Sequence, residues 1–248
     1  GRRRPAGGLS APHRPAISHP VDRPLTAAFE RCVETAPDRI AVQHNGVEVS
    51  YAELNTRANR LAHLLIGTGV RTGVPVAVLM QRGIDYVSAI LGITKAGGLF
   101  VPLDAGYPTE RLHHMLADSG APVAVAWSAS FTTLAAHGLP AGLGDVVLVG
   151  DGDSAAHARA AAPPGVRLHA AAALASQPAN NPPLANQASD PLYMLYTSGS
   201  TGLPKGAVVR HDGALNHIWA EARQLKLNGD IAVLQSAPAS SDISVWQS

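Results

Sequence analysis

The stretch Leu192-Tyr193-Met194-Leu195-Tyr196-Thr197-Ser198-Gly199-Ser200-Thr201-Gly202-Leu203-Pro204-Lys205-Gly206-Ala207-Val208-Val209 sets a polar, glycine-rich loop between two apolar runs. The first run reads as a buried strand, and the apolar pattern resumes at Gly206 immediately after the loop. A flexible Gly/Ser/Thr surface loop is the plain alternative, but a linker seldom sits between two strands. From Thr197 to Gly206 there are three glycines, four hydroxyls and one lysine. Glycines let the backbone approach an anion closely, hydroxyls donate to phosphate oxygens, and the lysine supplies a full positive charge. The chemistry is that of a polyphosphate cradle. It is not the ordinary P-loop, which needs four residues between its first glycine and a Gly-Lys-Ser/Thr triplet; here only Leu203-Pro204 separates Gly202 from Lys205.

Upstream, helix and strand signals alternate. A helix is expected from Thr26, a good N-cap, to just before Pro37. Its residues Leu25, Phe29, Cys32 and Val33 fall on one helical face, which predicts Cys32 as a core residue and not a nucleophile. Asn45-Gly46, between Ile40-Ala41-Val42 and Val47-Glu48-Val49, suits a tight hairpin turn. Ser50 and Glu53 form a capping box, and Leu54, Ala58, Leu61 and Leu65 lay an apolar stripe along a helix ending near Gly67 to Gly69. There follow a strand at Val76 to Met80, a helix to about Ala96 closed by Gly97-Gly98, a strand at Leu99 to Leu103, a helix from Thr109 to about Asp118, and strands at Val123 to Ala126 and Asp145 to Val149. Such alternation with short connections implies an α/β fold of mostly parallel β-α-β units with flanking helices. Between about 150 and 190 the chain is rich in Ala, Pro, Gly and Asn, and Gln177 to Pro183 reads as a loop. Residues 1 to 22, rich in Pro, Arg and Gly, read as a tether or interdomain linker.

The 248 residues carry 19 basic and 18 acidic side chains. That balance gives no general attraction to nucleic acid or an anionic membrane. The basic cluster Arg2-Arg3-Arg4 reads as part of the solvated linker, no stretch approaches the roughly 20 apolar residues of a membrane span, and the single Cys32 leaves no internal disulfide. A cytoplasmic location is expected. His113 and His114 are adjacent and therefore point in different directions from a helix; they read as surface or satisfied residues rather than ligands, and no spacing suits a metal.

The run Tyr-Thr-Ser-Gly-Ser-Thr-Gly-x-Pro-Lys-Gly at 196 to 206 resembles the phosphate loop of the adenylate-forming (AMP-dependent synthetase and ligase) enzymes, which include acyl-CoA synthetases and the adenylation domains of nonribosomal peptide synthetases. Three further stretches resemble core motifs of the peptide-synthetase branch. They are Val49-Ser50-Tyr51-Ala52-Glu53-Leu54-Asn55, then Thr94-Lys95-Ala96-Gly97-Gly98-Leu99-Phe100-Val101-Pro102-Leu103-Asp104 with Tyr107-Pro108-x-Glu110-Arg111-Leu112 beyond it, and finally Asp242-Ile243-Ser244-Val245-Trp246-Gln247. The first two read as mainly structural.

The resemblance implies that Thr197, Ser198, Gly199, Ser200, Thr201, Gly202 and Lys205 hold the triphosphate of ATP, steadying the departing pyrophosphate while a substrate carboxylate attacks the α-phosphate. It implies that Asp242 pairs with the ammonium group of an amino acid, with Ile243 and Trp246 lining the side-chain pocket. Ser241 stands where the family has an aromatic residue, leaving space and a hydroxyl. His211 recurs near this point in the family and is expected to be structural.

The implied parent reaction forms aminoacyl-AMP from ATP and an amino acid, with Mg2+, and loads it onto the phosphopantetheine thiol of a carrier protein in a larger synthetase. The expected domain is the amino-terminal part of the large subdomain, residues 23 to 248, an incomplete adenylation domain preceding the adenine-binding, magnesium-associated and carboxy-terminal motifs. No catalytic residue is assigned within it, and the piece alone is expected to be inactive. Two alternatives are an acyl-CoA or aryl-acid ligase, against which Asp242 argues, and a catalytically silent remnant or docking module, which Ser241 favours.

Overall fold

The computed structural model describes residues 23 to 150, 155 to 197, 203 to 227 and 231 to 236. The expected tether lies outside them. The chain begins with helix α1 (Leu25–Thr35), hairpin strands β1 (Ile40–His44) and β2 (Val47–Ser50), and helix α2 (Tyr51–Gly67). Then come β3 (Pro75–Leu79), α3 (Ile84–Lys95), β4 (Leu99–Leu103), α4 (Thr109–Ser119), β5 (Val123–Trp127), α5 (Ser128–Ala135) and β6 (Asp145–Val149). It continues through α6 (Ala155–Ala161), β7 (Arg167–His169), α7 (Ala171–Ala175), β8 (Pro191–Thr197), β9 (Lys205–Arg210) and α8 (His211–Gln224).

Seven strands form one sheet in the order β7-β6-β5-β3-β4-β8-β9. All its pairings are parallel except β8 with β9, which is antiparallel. Strand alternation sends Val76 and Val78 to one face, packed with α2 and α3, and Ala77 and Leu79 to the other, packed with α4 and α5. Both faces are covered, which is why the strands read as continuous apolar runs. The result is the predicted α/β architecture of parallel units with helices on both sides.

Most local signals act as expected, but of the Ser50/Glu53 capping box only the Ser50 half is seen, the Glu53 carboxylate pairing with Arg57 at 2.7 Å. Asn45 and Gly46 take φ values of 50° and 78°, the left-handed pair a two-residue hairpin needs. The Ser50 hydroxyl accepts from the Glu53 N–H at 3.2 Å, and Leu54, Ala58, Leu61 and Leu65 are buried. Gly97 has φ 89°, and a Cβ there would meet the Thr72 nitrogen at 3.0 Å. The second motif is a clasp. Lys95, buried, pairs with Glu30 and reaches Asn181 Oδ1 at 3.3 Å, and the same oxygen accepts from the amides of Asn55 and Asn59 at 2.9 Å. Through these contacts α1, α2 and α3 grip the 177–183 loop. Burial pushes the Lys95 pKa down, and the Glu30 carboxylate opposes it.

Two expectations are corrected. Thr26 is not the N-cap: α1 starts at Leu25 behind Pro24, and Thr26 is buried. The Leu25 N–H instead donates to His211 Nδ1 at 3.2 Å, so a side chain 186 positions away does the capping. Cys32 is exposed, not core. The packed face of α1 carries Leu25 and Phe29, whereas Arg31, Cys32, Glu34 and Thr35 toward its end are exposed. Helices α5, α6, α7 and α8 and strand β7 are additions to the expected order. Residues Ala155 to Ala161 and Ala171 to Ala175 are alanine-rich with no amphipathic stripe, and β7 is three residues long, defined only by pairing with β6.

Burial of His211 lowers its pKa to about 4, against the pull of Asp190 and Asp212. Because the unfolded histidine titrates near 6.5, the unfolded chain binds more protons between those values, and stability falls as pH drops through that window. The thermal midpoint should therefore decline from pH 7 to 4.5 by an amount reflecting a few kcal/mol, and His211→Asn should flatten the decline. An equally steep variant would refute the assignment. Glu30→Gln, which strands a buried ammonium, should cost about 2 to 3 kcal/mol in urea denaturation, more than Lys95→Met, whose remaining carboxylate is reached by water.

Candidate functional site

At the end of the β8–β9 pair, Thr197 lies opposite Lys205, Tyr196 opposite Gly206 and Leu195 opposite Ala207. The loop therefore leaves a strand and returns into a strand, unlike a P-loop, which opens a helix. It emerges at the carboxyl end of β8, the same edge at which its parallel neighbour β4 ends, where open α/β sheets place their ligands. Thr197 and Lys205 are exposed, and among the described residues Lys205 has no carboxylate partner. Ser198, Gly199, Ser200, Thr201 and Gly202 lie outside the described residues, as do Ser241, Asp242, Ile243 and Trp246.

Tyr196, the residue before the loop, is buried. Its hydroxyl donates to Asp118 Oδ2 at 2.8 Å, with the Met115 carbonyl at 3.1 Å. Burial, then the hydrogen bond to Asp118 and its charge, raises the Tyr196 pKa above the ordinary phenol value, so the ring stays neutral. On the return strand, His114 Nε2 meets the Pro204 carbonyl at 3.2 Å, which requires the Nε2–H tautomer. His113 Nε2 contacts the Leu134 carbonyl at 3.4 Å, so both histidines are satisfied as expected. Nothing in the residue pattern marked His114 or Asp118 as neighbours of the loop, because they meet Pro204 and Tyr196 only through the packing of α4 behind β8 and β9.

Gly206 has a steric explanation. A Cβ there would come within 2.8 Å of the Met194 sulfur and 3.3 Å of the Tyr196 ring, so the glycine leaves room for these two side chains of β8 to approach β9. Among the described residues no group of three or more His, Cys, Asp or Glu could hold a metal, and no helix is long and apolar enough to cross a membrane.

Residues 29 to 247 match the family model described as AMP-binding enzyme. The chain belongs to the AMP-binding enzyme family. Tyrocidine synthase 3 of Brevibacillus parabrevis is 37% identical over 201 residues, covering 81% of this chain and 3% of that protein. Surfactin synthase subunit 2 of Bacillus subtilis (strain 168) is 32% identical over 237 residues, covering 94% of this chain and 6% of that one. The solved nonribosomal peptide synthetase FmoA3 in its AMPPNP-bound form superposes with a TM-score of 0.75 at 27% identity, over 92% of this chain and 22% of FmoA3. This AMP-binding chain thus spans a small fraction of the peptide synthetases it resembles.

Gly206→Ala should cost about 1 to 3 kcal/mol through overpacking against Met194 and Tyr196. Met194→Ala in the same chain should recover part of that loss in a thermal-melt series. Purely additive losses would show that the close approach is not the reason for the glycine.

Proposed function

We propose that the chain forms the phosphate-holding part of a peptide-synthetase adenylation domain, which activates an amino acid as aminoacyl-AMP. The observation that carries this reading is the register that sets Thr197 against Lys205 at the mouth of the hydroxyl- and glycine-rich loop. The resemblance to peptide synthetases and to an AMPPNP-bound neighbour supports it. In the proposed reaction a carboxylate oxygen of the amino acid forms a bond to the α-phosphorus of ATP, the bond from that phosphorus to the bridging oxygen breaks, and pyrophosphate leaves with the electron pair. Lys205 and the hydroxyls of Thr197, Ser198, Ser200 and Thr201, with the backbone at Gly199 and Gly202, hold the β- and γ-phosphates as charge moves onto them. Asp242 receives the substrate ammonium, and Ile243 and Trp246 line the pocket, with Ser241 widening it.

Mg2+ takes most of its ligands from phosphate oxygens and water, with one or two carboxylates. Bound with the nucleotide, it would supply charge neutralisation. Transfer to a carrier-protein phosphopantetheine and contact with neighbouring synthetase domains belong to the parent protein, as does completion of the adenylation reaction.

A fatty-acid reading is the rival, since the chain also superposes on a fatty acyl CoA synthetase of Mycobacterium tuberculosis with a TM-score of 0.65. Asp242 separates the two. A cation entering an apolar pocket needs a fixed anion, and removing one partner costs about 3 to 5 kcal/mol, a hundredfold or more in affinity. Calorimetric titration with AMPPNP should show binding that Lys205→Ala weakens by about tenfold or more, the loss expected of one charge-assisted hydrogen bond. In the synthetase that carries this domain, Asp242→Asn should lower amino-acid-dependent pyrophosphate exchange at subsaturating substrate about a hundredfold. AMPPNP binding indifferent to Lys205→Ala would refute the phosphate assignment, and exchange driven equally by des-amino analogues would favour the ligase.

A further inference from the structure

We propose that His114 and Asp118 are positioning residues: from one face of α4 they hold the two ends of the phosphate loop, and so fix the placement of Thr197 and Lys205. The proposal rests on the phosphate reading above and adds to it the side chains that set the geometry.

His114 and Asp118 are one helical turn apart, at i and i+4, and so lie on the same side of α4. Each takes a different strand. Asp118 accepts from the hydroxyl of Tyr196, the residue before Thr197, and His114 donates to the carbonyl of Pro204, the residue before Lys205. Every tether thus acts one residue from a phosphate contact, on the entering side and on the returning side alike.

The platform is stiff. Leu112, Met115 and Leu116 of α4 are buried in the core that also takes Val101 and Leu103 of β4 and Tyr196 of β8. The returning strand needs such a hold, because β9 is the last strand of the sheet and pairs only with β8 among the described residues. Strand ends at a sheet edge open at low free-energy cost unless something ties them down. Pro204 fixes its own φ, so a bond to its carbonyl orients the peptide that leads directly into Lys205. Polyphosphate contacts depend on donors being in place before the ligand arrives, and small displacements are costly.

The test is a double-mutant cycle on AMPPNP affinity. His114→Ala should weaken binding about three- to tenfold in the unsubstituted chain and by less than about twofold when Lys205→Ala is already present, since it acts through Lys205. His114→Gln, whose amide can still donate to the Pro204 carbonyl, should return affinity to within about twofold. Tyr196→Phe, which removes only the hydroxyl, should weaken binding by a similar factor. Independently of nucleotide, the backbone amide resonances of Thr197 and Lys205 should shift in Tyr196→Phe and His114→Ala respectively, and the Lys205 resonance should return in His114→Gln. Additive losses in the cycle, or resonances that stay put, would overturn the proposal. Resonances that move as expected in a chain that binds no AMPPNP would uphold the tethers and count against the phosphate reading instead.

Discussion

The antiparallel return of β9 onto β8 is the constraint on which the site depends. Every other pairing in the sheet is parallel and is reached through a crossover, so the chain normally leaves the carboxyl edge by way of a helix. At Thr197 it turns back within the sheet instead. Thr197 and Lys205 are then set in register across one ladder step, and the loop is framed by two strands rather than by a strand and a helix. In the proposed phosphate reading, the role that a helix N-terminus plays in a P-loop falls to hydroxyls, glycine-backed peptides and the lysine. At Gly206 a side chain would meet Met194 and Tyr196, one of which would have to shift.

The upstream motifs take on physical meaning in the same frame. Ser50 caps α2; Gly97 and Gly98 admit the chain where Thr72, Ile93 and Val70 crowd it; Lys95 neutralises Glu30 inside the clasp around Asn181. They bring α2 and α3 onto the face of the sheet carrying Val76, Val78 and Phe100, leaving α4 to pack on the other face beneath Tyr196. The first two motifs that resemble the family's thus fix the scaffold, as their sequence predicts.

Much of this was legible from the residues. Strong local signals fell within a residue or two of the observed elements: the Asn45-Gly46 turn, the Ser50 cap, and the apolar runs that became β3 to β6. Elements without a local signature were not legible. The alanine-rich helices α6 and α7 lack an amphipathic stripe, and β7 is defined only by its neighbour, where Asp145 accepts two hydrogen bonds from Arg167 and one from His169. Local reasoning also misplaced Thr26 and Cys32, because the N–H at the start of α1 is taken by His211, 186 positions on, and Cys32 is exposed among the described residues. At the candidate site, the loop's place between two strands could be read directly, but the contacts at its ends could not. The contacts of His114 and Asp118 span 90 and 78 positions and leave no trace in spacing.

The most direct measurement of the central claim is the 31P NMR spectrum of AMPPNP in the presence of this chain. If the hairpin mouth at Thr197 and Lys205 is a polyphosphate cradle, the β and γ resonances will shift or broaden on addition of the chain, inorganic tripolyphosphate will reverse the change, and Lys205→Ala will abolish most of it. A spectrum unchanged at millimolar chain, or one perturbed equally by the Lys205→Ala protein, would contradict the account.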